Sequence, residues 1–395
     1  MPNPLAYLTE QLDELERAGG HFRLRELESA CDPISRVDGQ EVINLASNNY
    51  LGLANHPKLK EAAIAAVRQF GAGTGAVRTI TGTMAIHMEL ERRISAFKHS
   101  EACVVFQSGF TANAGAVSSI LTPDDHIVSD ELNHASIIDG CRLSRAKIHV
   151  FRHRDVAHAE ELLEGLKDTP GHKLLITDGV FSMDGDIGPL DKLTALAERY
   201  GAIMMVDDAH ASGVLGSHGR GTVDHFGLHG RVQVQVGTLS KAVGVLGGYV
   251  CGSRDLIDYL YHRARPFLFS TSHPPAVAAA CIAAFEIMEH EPERVQLLWD
   301  NTRYYQGALK AAGFDIGATE TPITPIIVGE ARTAHEFSAE LFREGLWATG
   351  IGFPTVPRGK ARIRTIVTAA HTREQLDRAV STLTRVARRM AILSA

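Results

Sequence analysis

Cysteine is scarce in this chain and scattered. Cys31, Cys103, Cys141, Cys251 and Cys281 are odd in number, far apart in sequence and form no CxxC pair. That argues against a disulfide framework or a zinc spacing, and it suits a reducing, cytoplasmic setting. A charge excess is missing too. The net charge is −6 with both signs interspersed, which leaves no footprint for nucleic acid or a membrane surface but permits a small, partly anionic substrate. The first residues, Met-Pro-Asn-Pro-Leu-Ala-Tyr-Leu, contain neither a basic nor an apolar leader segment, and no apolar run is unbroken enough to span a bilayer, so a soluble, unexported protein is expected. Repeats and low-complexity tracts are also lacking. What remains is ordinary globular material, 45% hydrophobic and 22% charged over 395 residues, long enough for two domains.

Leu5, Leu8, Leu12 and Leu15 recur at helical spacing with Glu10, Asp13, Glu14 and Arg17 between them, predicting an amphipathic helix that stops at Gly19-Gly20. From residue 58 to about 290, short β-branched runs alternate with longer helical stretches, and strands are expected at 102–106, 126–129, 173–177, 202–206, 232–236 and 248–251. Such alternation predicts an α/β domain around a largely parallel sheet. Beyond a helix at 276–289, strands at 322–328 and 361–367 and a last helix carrying Leu376, Val380, Leu383, Val386 and Met390 predict a smaller C-terminal α+β domain. The expected division is 1–57 (helix and arm), 58–290 (large domain) and 291–395 (small domain).

Between Arg231 and Arg254 the only charged residue is Lys241. Burying an unpaired ammonium costs several kcal/mol, usually avoided by losing the proton, and a neutral amine in an apolar pocket is a nucleophile toward aldehydes. The alternative is a lysine snorkelling from a strand end. Ser108-Gly109-Phe110 reads as a strand-to-helix turn whose N–H groups could take an anion, or as an ordinary βα turn. Asp207-Asp208-Ala209-His210 ends an apolar strand, where open α/β sheets place ligands. It could bind a protonated ring nitrogen or a metal, or Asp208 could simply cap a helix. His134 follows another strand end, and Ser182 lies in the polar segment 177–185. Arg362 and Arg364 share one strand face, as a carboxylate clamp or as a solvated edge.

Taken in order, Ser47-Asn48-Asn49-Tyr50-Leu51-Gly52, Gly71-Ala72-Gly73-Thr74-Gly75 with Arg78 and Thr81-Gly82-Thr83, Asn133-His134, Val180 to Asp186, Asp207-Asp208-Ala209-His210, Thr238-Leu239-Ser240-Lys241, Phe269-Ser270-Thr271-Ser272 and Arg362-Ile363-Arg364 resemble the α-oxoamine synthases nearly end to end. These are fold type I enzymes that use pyridoxal 5′-phosphate (PLP) to join a small amino acid to an acyl-CoA. The resemblance implies that fold, with a large domain around a mostly parallel sheet and a smaller C-terminal domain. It implies that Lys241 carries PLP, that Asp207 pairs with the pyridine nitrogen, that Ser182 and His210 bind the ring hydroxyl and that His134 stacks on the ring. Ser108, Gly109, Phe110 and Thr238 would cradle the phosphate, with Ser270 and Thr271 reaching the phosphate of the other subunit in a homodimer with shared sites. Asn48 and Arg364 would hold the amino-acid carboxylate, and Arg23 matches an arginine that binds an acyl carboxylate in some relatives.

Within the family, the segments 130–140, 206–213 and 265–275 look most like the glycine C-acetyltransferase branch. The expectation is therefore glycine plus acetyl-CoA, with the 8-amino-7-oxononanoate branch, alanine plus a pimeloyl thioester, as the alternative. Val77 and Thr79 depart from the pattern of the succinyl-CoA-using members.

Overall fold

The computed structural model describes residues 3–17, 23–353 and 355–394. Its strands are β1 (Ile34–Val37), β2 (Gln40–Asn44), β3 (Ala102–Phe106), β4 (His126–Asp130), β5 (Lys147–Phe151), β6 (Lys173–Asp178), β7 (Ile203–Asp207), β8 (Val234–Thr238), β9 (Gly248–Gly252), β10 (Ile323–Gly329), β11 (Leu346–Trp347), β12 (Thr349–Ile351) and β13 (Ala361–Ile366). Seven of them form one sheet in the order β3-β9-β8-β7-β6-β4-β5. Only β9 runs antiparallel to its neighbours. Every residue of β4, β8 and β9 is buried, as expected where helices cover both faces of a parallel sheet. One face packs Val104, Phe106, Ile176 and Met205 against Val117 and Leu260, and another core joins Val128, Leu175 and Val206 to Leu163 and Leu193. The expected strand at 232–236 sits two residues further on, at Val234–Thr238, and Gln233 docks on Met204 through its N–H to the carbonyl at 3.1 Å and its side-chain oxygen to the N–H at 2.8 Å.

The C-terminal part is an antiparallel sheet, β10-β13-β12, covered by helices Ala331–Arg343 and Arg373–Arg389. The second helix begins with a capping box between Thr372 and Gln375, and Leu376, Leu383 and Val386 are its buried stripe. Residues 34–45 join this body. β11 pairs in parallel with β2, and Ile43 and Leu45 share a core with Leu341, Leu346 and Leu376. The N-terminal helix forms over Tyr7–Arg17 with none of its residues buried. Gly19 and Gly20, expected to stop it, lie outside the described residues.

Cys103 and Cys251, remote in sequence, face each other in register across β3 and β9 as free thiols. No described helix is long and apolar enough to cross a membrane.

Candidate active site

The C-terminal ends of β4, β6, β7 and β8 lie along one edge of the sheet, and their polar residues converge there. A cavity of about 180 Å3 is lined by Ser108, Gly109, Phe110, His134, Ser136, Asp178, Ser182, Asp207, Ala209, His210, Thr238, Ser240 and Lys241. Lys241 Nζ has no hydrogen-bond or ion-pair partner among the described residues. Burial lowers its pKa below the ordinary lysine value, against the opposing pull of Asp207 and Asp178. A free, readily deprotonated amine in the wall of a cavity favours the nucleophile over the snorkelling reading.

Asp207 is buried and held in place by two donors: Asn113 Nδ2 reaches Oδ2 at 2.6 Å, and the Ala209 N–H reaches Oδ1 at 2.8 Å. Asn113 also donates to Ser136 Oγ at 2.9 Å, which lies 2.7 Å from His134 Nδ1. Because His134 Nδ1 also accepts from the Ser136 N–H at 3.2 Å, its ring hydrogen belongs on Nε2. Burial lowers the His134 pKa, with Asp207 opposing, so the ring is neutral. His210 is buried with Nδ1 2.8 Å from the Tyr50 hydroxyl. Burial raises the Tyr50 pKa, so this phenol keeps its proton and donates it, leaving His210 with a hydrogen on Nε2. The His210 pKa falls well below the usual histidine range through burial, then through Lys241 and Arg364.

Ser108 caps helix Gly109–Ile120: its hydroxyl accepts from the Thr111 N–H at 3.1 Å, and Thr111 Oγ1 accepts from the Ser108 N–H at 2.9 Å. Gly109 and Phe110 of that first turn line the cavity with Thr238, and their N–H groups have no acceptor among the described residues. The close approach needs Gly248, where a Cβ would fall 2.4 Å from the Ser108 carbonyl oxygen. Thr238 Oγ1 lies 2.8 Å from Ser240 Oγ.

Arg364 and Arg362 share a face of β13, and both are buried. Their partners differ. Arg362 is ion-paired with Asp184 at 2.5 Å and donates to the Met183 carbonyl at 2.9 Å. Arg364 donates to the Ser182 carbonyl at 2.6 Å and to Asn48 Oδ1 at 3.2 Å and has no acidic partner among the described residues. Ser270 is half-buried and Thr271 exposed, both outside the cavity lining; the Thr271 carbonyl accepts from Gln107 Nε2 at 2.8 Å, next to Ser108. Arg23 is exposed near Asp38 and away from the cavity lining.

Asp208 is spent on Lys98 and Thr222 and does not join Asp207 and His210 in a metal-ligating group among the described residues. Sequence reasoning passed over Asn113, Ser136, Tyr50 and Asp178 as site residues. Asn113 carried a signal, being the one amide among the small residues of Gly109–Ile120. Asp178 accepts the His134 N–H at 2.8 Å, and burial, then the nearby Asp207, pushes its carboxyl well above the usual carboxylate range.

A mostly parallel sheet with a lone amine, a buried acid and a helix N-terminus gathered at one edge defines a cofactor-dependent transferase. The pattern of the aminotransferase class I and II family matches residues 40–383, and the chain belongs to that family, among its α-oxoamine synthases. An 8-amino-7-oxononanoate synthase from Symbiobacterium thermophilum is 60% identical over 98% of this chain and 99% of its own. The 8-amino-7-oxononanoate synthase 1 of Bacillus subtilis is 52% identical over 100% of both. Among solved structures, a serine palmitoyltransferase variant from S. paucimobilis with bound PLP-myriocin aldimine superposes with a TM-score of 0.94 at 30% identity, covering 99% of this chain and 100% of that one. These likenesses establish fold type I and PLP as cofactor. They overturn the expected glycine C-acetyltransferase reading, since the full-length relatives carry the other name. Two of the segments that suggested it, 130–140 and 206–213, line the cavity with His134, Ser136, Asp207, Ala209 and His210, the residues that the resemblance gives to the cofactor. The donor set fits PLP: a partnerless amine for the aldehyde, a held carboxylate for the ring nitrogen, and capped helix N–H groups for the phosphate.

Proposed function

We propose that this chain is an 8-amino-7-oxononanoate synthase, joining alanine to a pimeloyl thioester with loss of the amino acid's carboxyl group. Identity of 60% over nearly the whole length to a relative of that name carries the reading. The product's skeleton agrees with it: the pimeloyl chain supplies the carboxylate end through the ketone, and alanine's α-carbon and methyl group supply the rest. The bond from α-carbon to thioester carbonyl forms, the carbon–sulfur bond breaks and the thiol leaves with a proton. Carbon dioxide leaves from the amino acid, and a proton takes its place on the α-carbon.

PLP, when bound, supplies an electron sink for the charge developed at the α-carbon. Asp207, fixed by Asn113 and Ala209, holds a proton at the ring nitrogen. His210 Nε2–H and the Ser182 hydroxyl hold the ring oxygen, and His134 covers the ring face. The N–H groups of Gly109 and Phe110, with Ser108 and Thr238, take the phosphate. Ser270 and Thr271 do so from a second copy of the chain, which makes a homodimer the working unit. Arg364, a buried guanidinium without an acid, and Asn48 receive the amino-acid carboxylate. Lys241 Nζ, inclined by burial to shed its proton, takes the one on the α-carbon.

Incubation of the PLP-loaded protein with alanine or glycine against a graded panel of acyl-CoAs, with products identified by mass, tests this. Alanine with pimeloyl-CoA should be the preferred pair, and its product should lack the amino acid's carboxyl group. Release of an intact 2-amino-3-oxo acid, or preference for an acyl group without a far carboxylate, would overturn the reading.

A further inference from the structure

Lys98 and Asp208 form an ion pair behind the cavity, with Nζ 2.8 Å from Oδ2 and both side chains 0% exposed. Lys98 follows helix Ala85–Phe97 directly and also donates to the Arg220 carbonyl. Asp208 takes the Thr222 N–H at 3.2 and 3.3 Å on its two oxygens, and the Thr222 hydroxyl on Oδ1. Two glycines make room for the pair. A Cβ on Gly221 would fall 2.0 Å from Asp208 Oδ2 and 2.7 Å from Lys98 Nζ, and one on Gly179 would fall 2.6 Å from Oδ1. Such a pair is a costly way to hold a core together, because desolvating two charges offsets most of their attraction and an apolar pair of similar volume commonly serves as well.

Its place in the chain gives it another use. Asp207 and Asp208 are consecutive at the end of β7, and the alternation of a strand sends Asp207 to the cavity and Asp208 to the interior. The Asp208 N–H donates to the Val236 carbonyl at 2.8 Å, and its own carbonyl accepts from the Ala211 and Ser212 N–H groups at 3.0 and 2.8 Å. The Asp208 main chain thus holds the turn that carries Asp207 and His210, and its side chain ties the back of that turn to Lys98 and Thr222.

We propose that Lys98 is a positioning residue for the reaction, fixing through Asp208 the aim of the Asp207–His210 turn at the cofactor ring. The inference rests on the reading of Asp207 as the partner of the ring nitrogen. An acid displaced by about an ångström from its target loses on the order of a hundredfold in rate.

The test compares PLP-loaded wild type with Lys98→Met, Thr222→Val and the double variant Lys98→Met/Asp208→Asn. Thermal midpoint, the pH titration of the bound cofactor's visible band, and exchange of the alanine α-proton in D2O are measured. Lys98→Met should slow exchange about 10- to 100-fold and move the midpoint of the visible band, with Thr222→Val shifting both less in the same direction. The double variant leaves no unpaired buried charge, so it should regain most of the thermal midpoint while its exchange stays at least about tenfold slow. Exchange that recovers together with the midpoint would reduce the pair to structural support and overturn the proposal. So would an unmoved band and rate in Lys98→Met or, should that variant not fold, in the other two. A wild type whose cofactor borohydride does not fix to Lys241 would bring down the site reading and this inference with it, whereas normal wild type beside unaltered variants sinks this inference alone.

Discussion

At the scale of single residues, the two arginines of β13 show what a sequence can and cannot say. Their spacing put them on one face and left a clamp and a solvated edge equally open. The fold separates them: Arg362 is neutralised by Asp184, while Arg364 is buried without an acid and linked to Asn48 from a segment far away in the chain. Burial also lowers the Arg364 pKa, which marks how much this cation gains from an arriving anion. Arg364→Gln should therefore raise the KM for alanine by at least about tenfold, with a smaller change in kcat, because a charge-assisted bidentate contact is made in ground and transition states alike. Arg362→Gln should instead lower thermal stability. Steady-state kinetics on both variants checks the assignment, and an unchanged alanine KM in Arg364→Gln would remove Arg364 from the substrate site. The residues that carry the chemistry were legible because each sits in a short ordered motif. Asn113, Tyr50 and Asp178 were not, because their role depends on a contact with Asp207, His210 or His134 that no local spacing encodes.

At the scale of elements, alternating β-branched runs and helices revealed the central strands, since a parallel strand covered on both faces reads as an unbroken apolar run. β5 escaped notice: it is an edge strand, and Lys147, His149 and their exposed neighbours break such a run. β1 and β2, a short hairpin turning at Asp38-Gly39, lie outside the alternating pattern, and the two-residue β11 pairs with β2 across some three hundred residues of sequence. The loop after β6, which carries Ser182, is tied down by His153, whose ring nitrogens lie 3.0 Å from Asp130 Oδ1 and 2.8 Å from Asp186 Oδ2. Burial alone would lower the His153 pKa, but these two carboxylates outweigh it and push it up to about 9. A folded-state value above the unfolded value of about 6.5 means that the protonated ring stabilises the fold fully below that pH, and that this contribution fades as pH rises toward 9. It is on the order of 3 kcal/mol at most. The stability gap between wild type and His153→Gln, measured by urea unfolding, should be widest near pH 6 and shrink by pH 10. A gap independent of pH would show that His153 is not the charged clamp.

At the scale of the whole molecule, the proposed homodimer would complete each site with Ser270 and Thr271 of the other chain. Phe110, in the first turn of the phosphate-facing helix, is 46% exposed; Phe269, before Ser270 and Thr271, is 70% exposed, and Ile80 is 77% exposed. Of these, Phe110 lines the cavity, and exposed apolar side chains of this size suit a covering partner. A second copy placed by two-fold symmetry would cover them and deliver Ser270 and Thr271 to the opposite phosphate. The arrangement makes a quantitative demand. Lys241→Ala removes the amine, and Thr271→Glu sets a carboxylate against the phosphate, so each variant alone should be inactive. Mixed and reassembled in equal amounts, about half of the dimers pair one of each, and each such dimer has one site with both defects and one with neither, so about a quarter of wild-type activity should return. Activity that stays at the sum of the two parents after confirmed subunit exchange would place each site within a single chain.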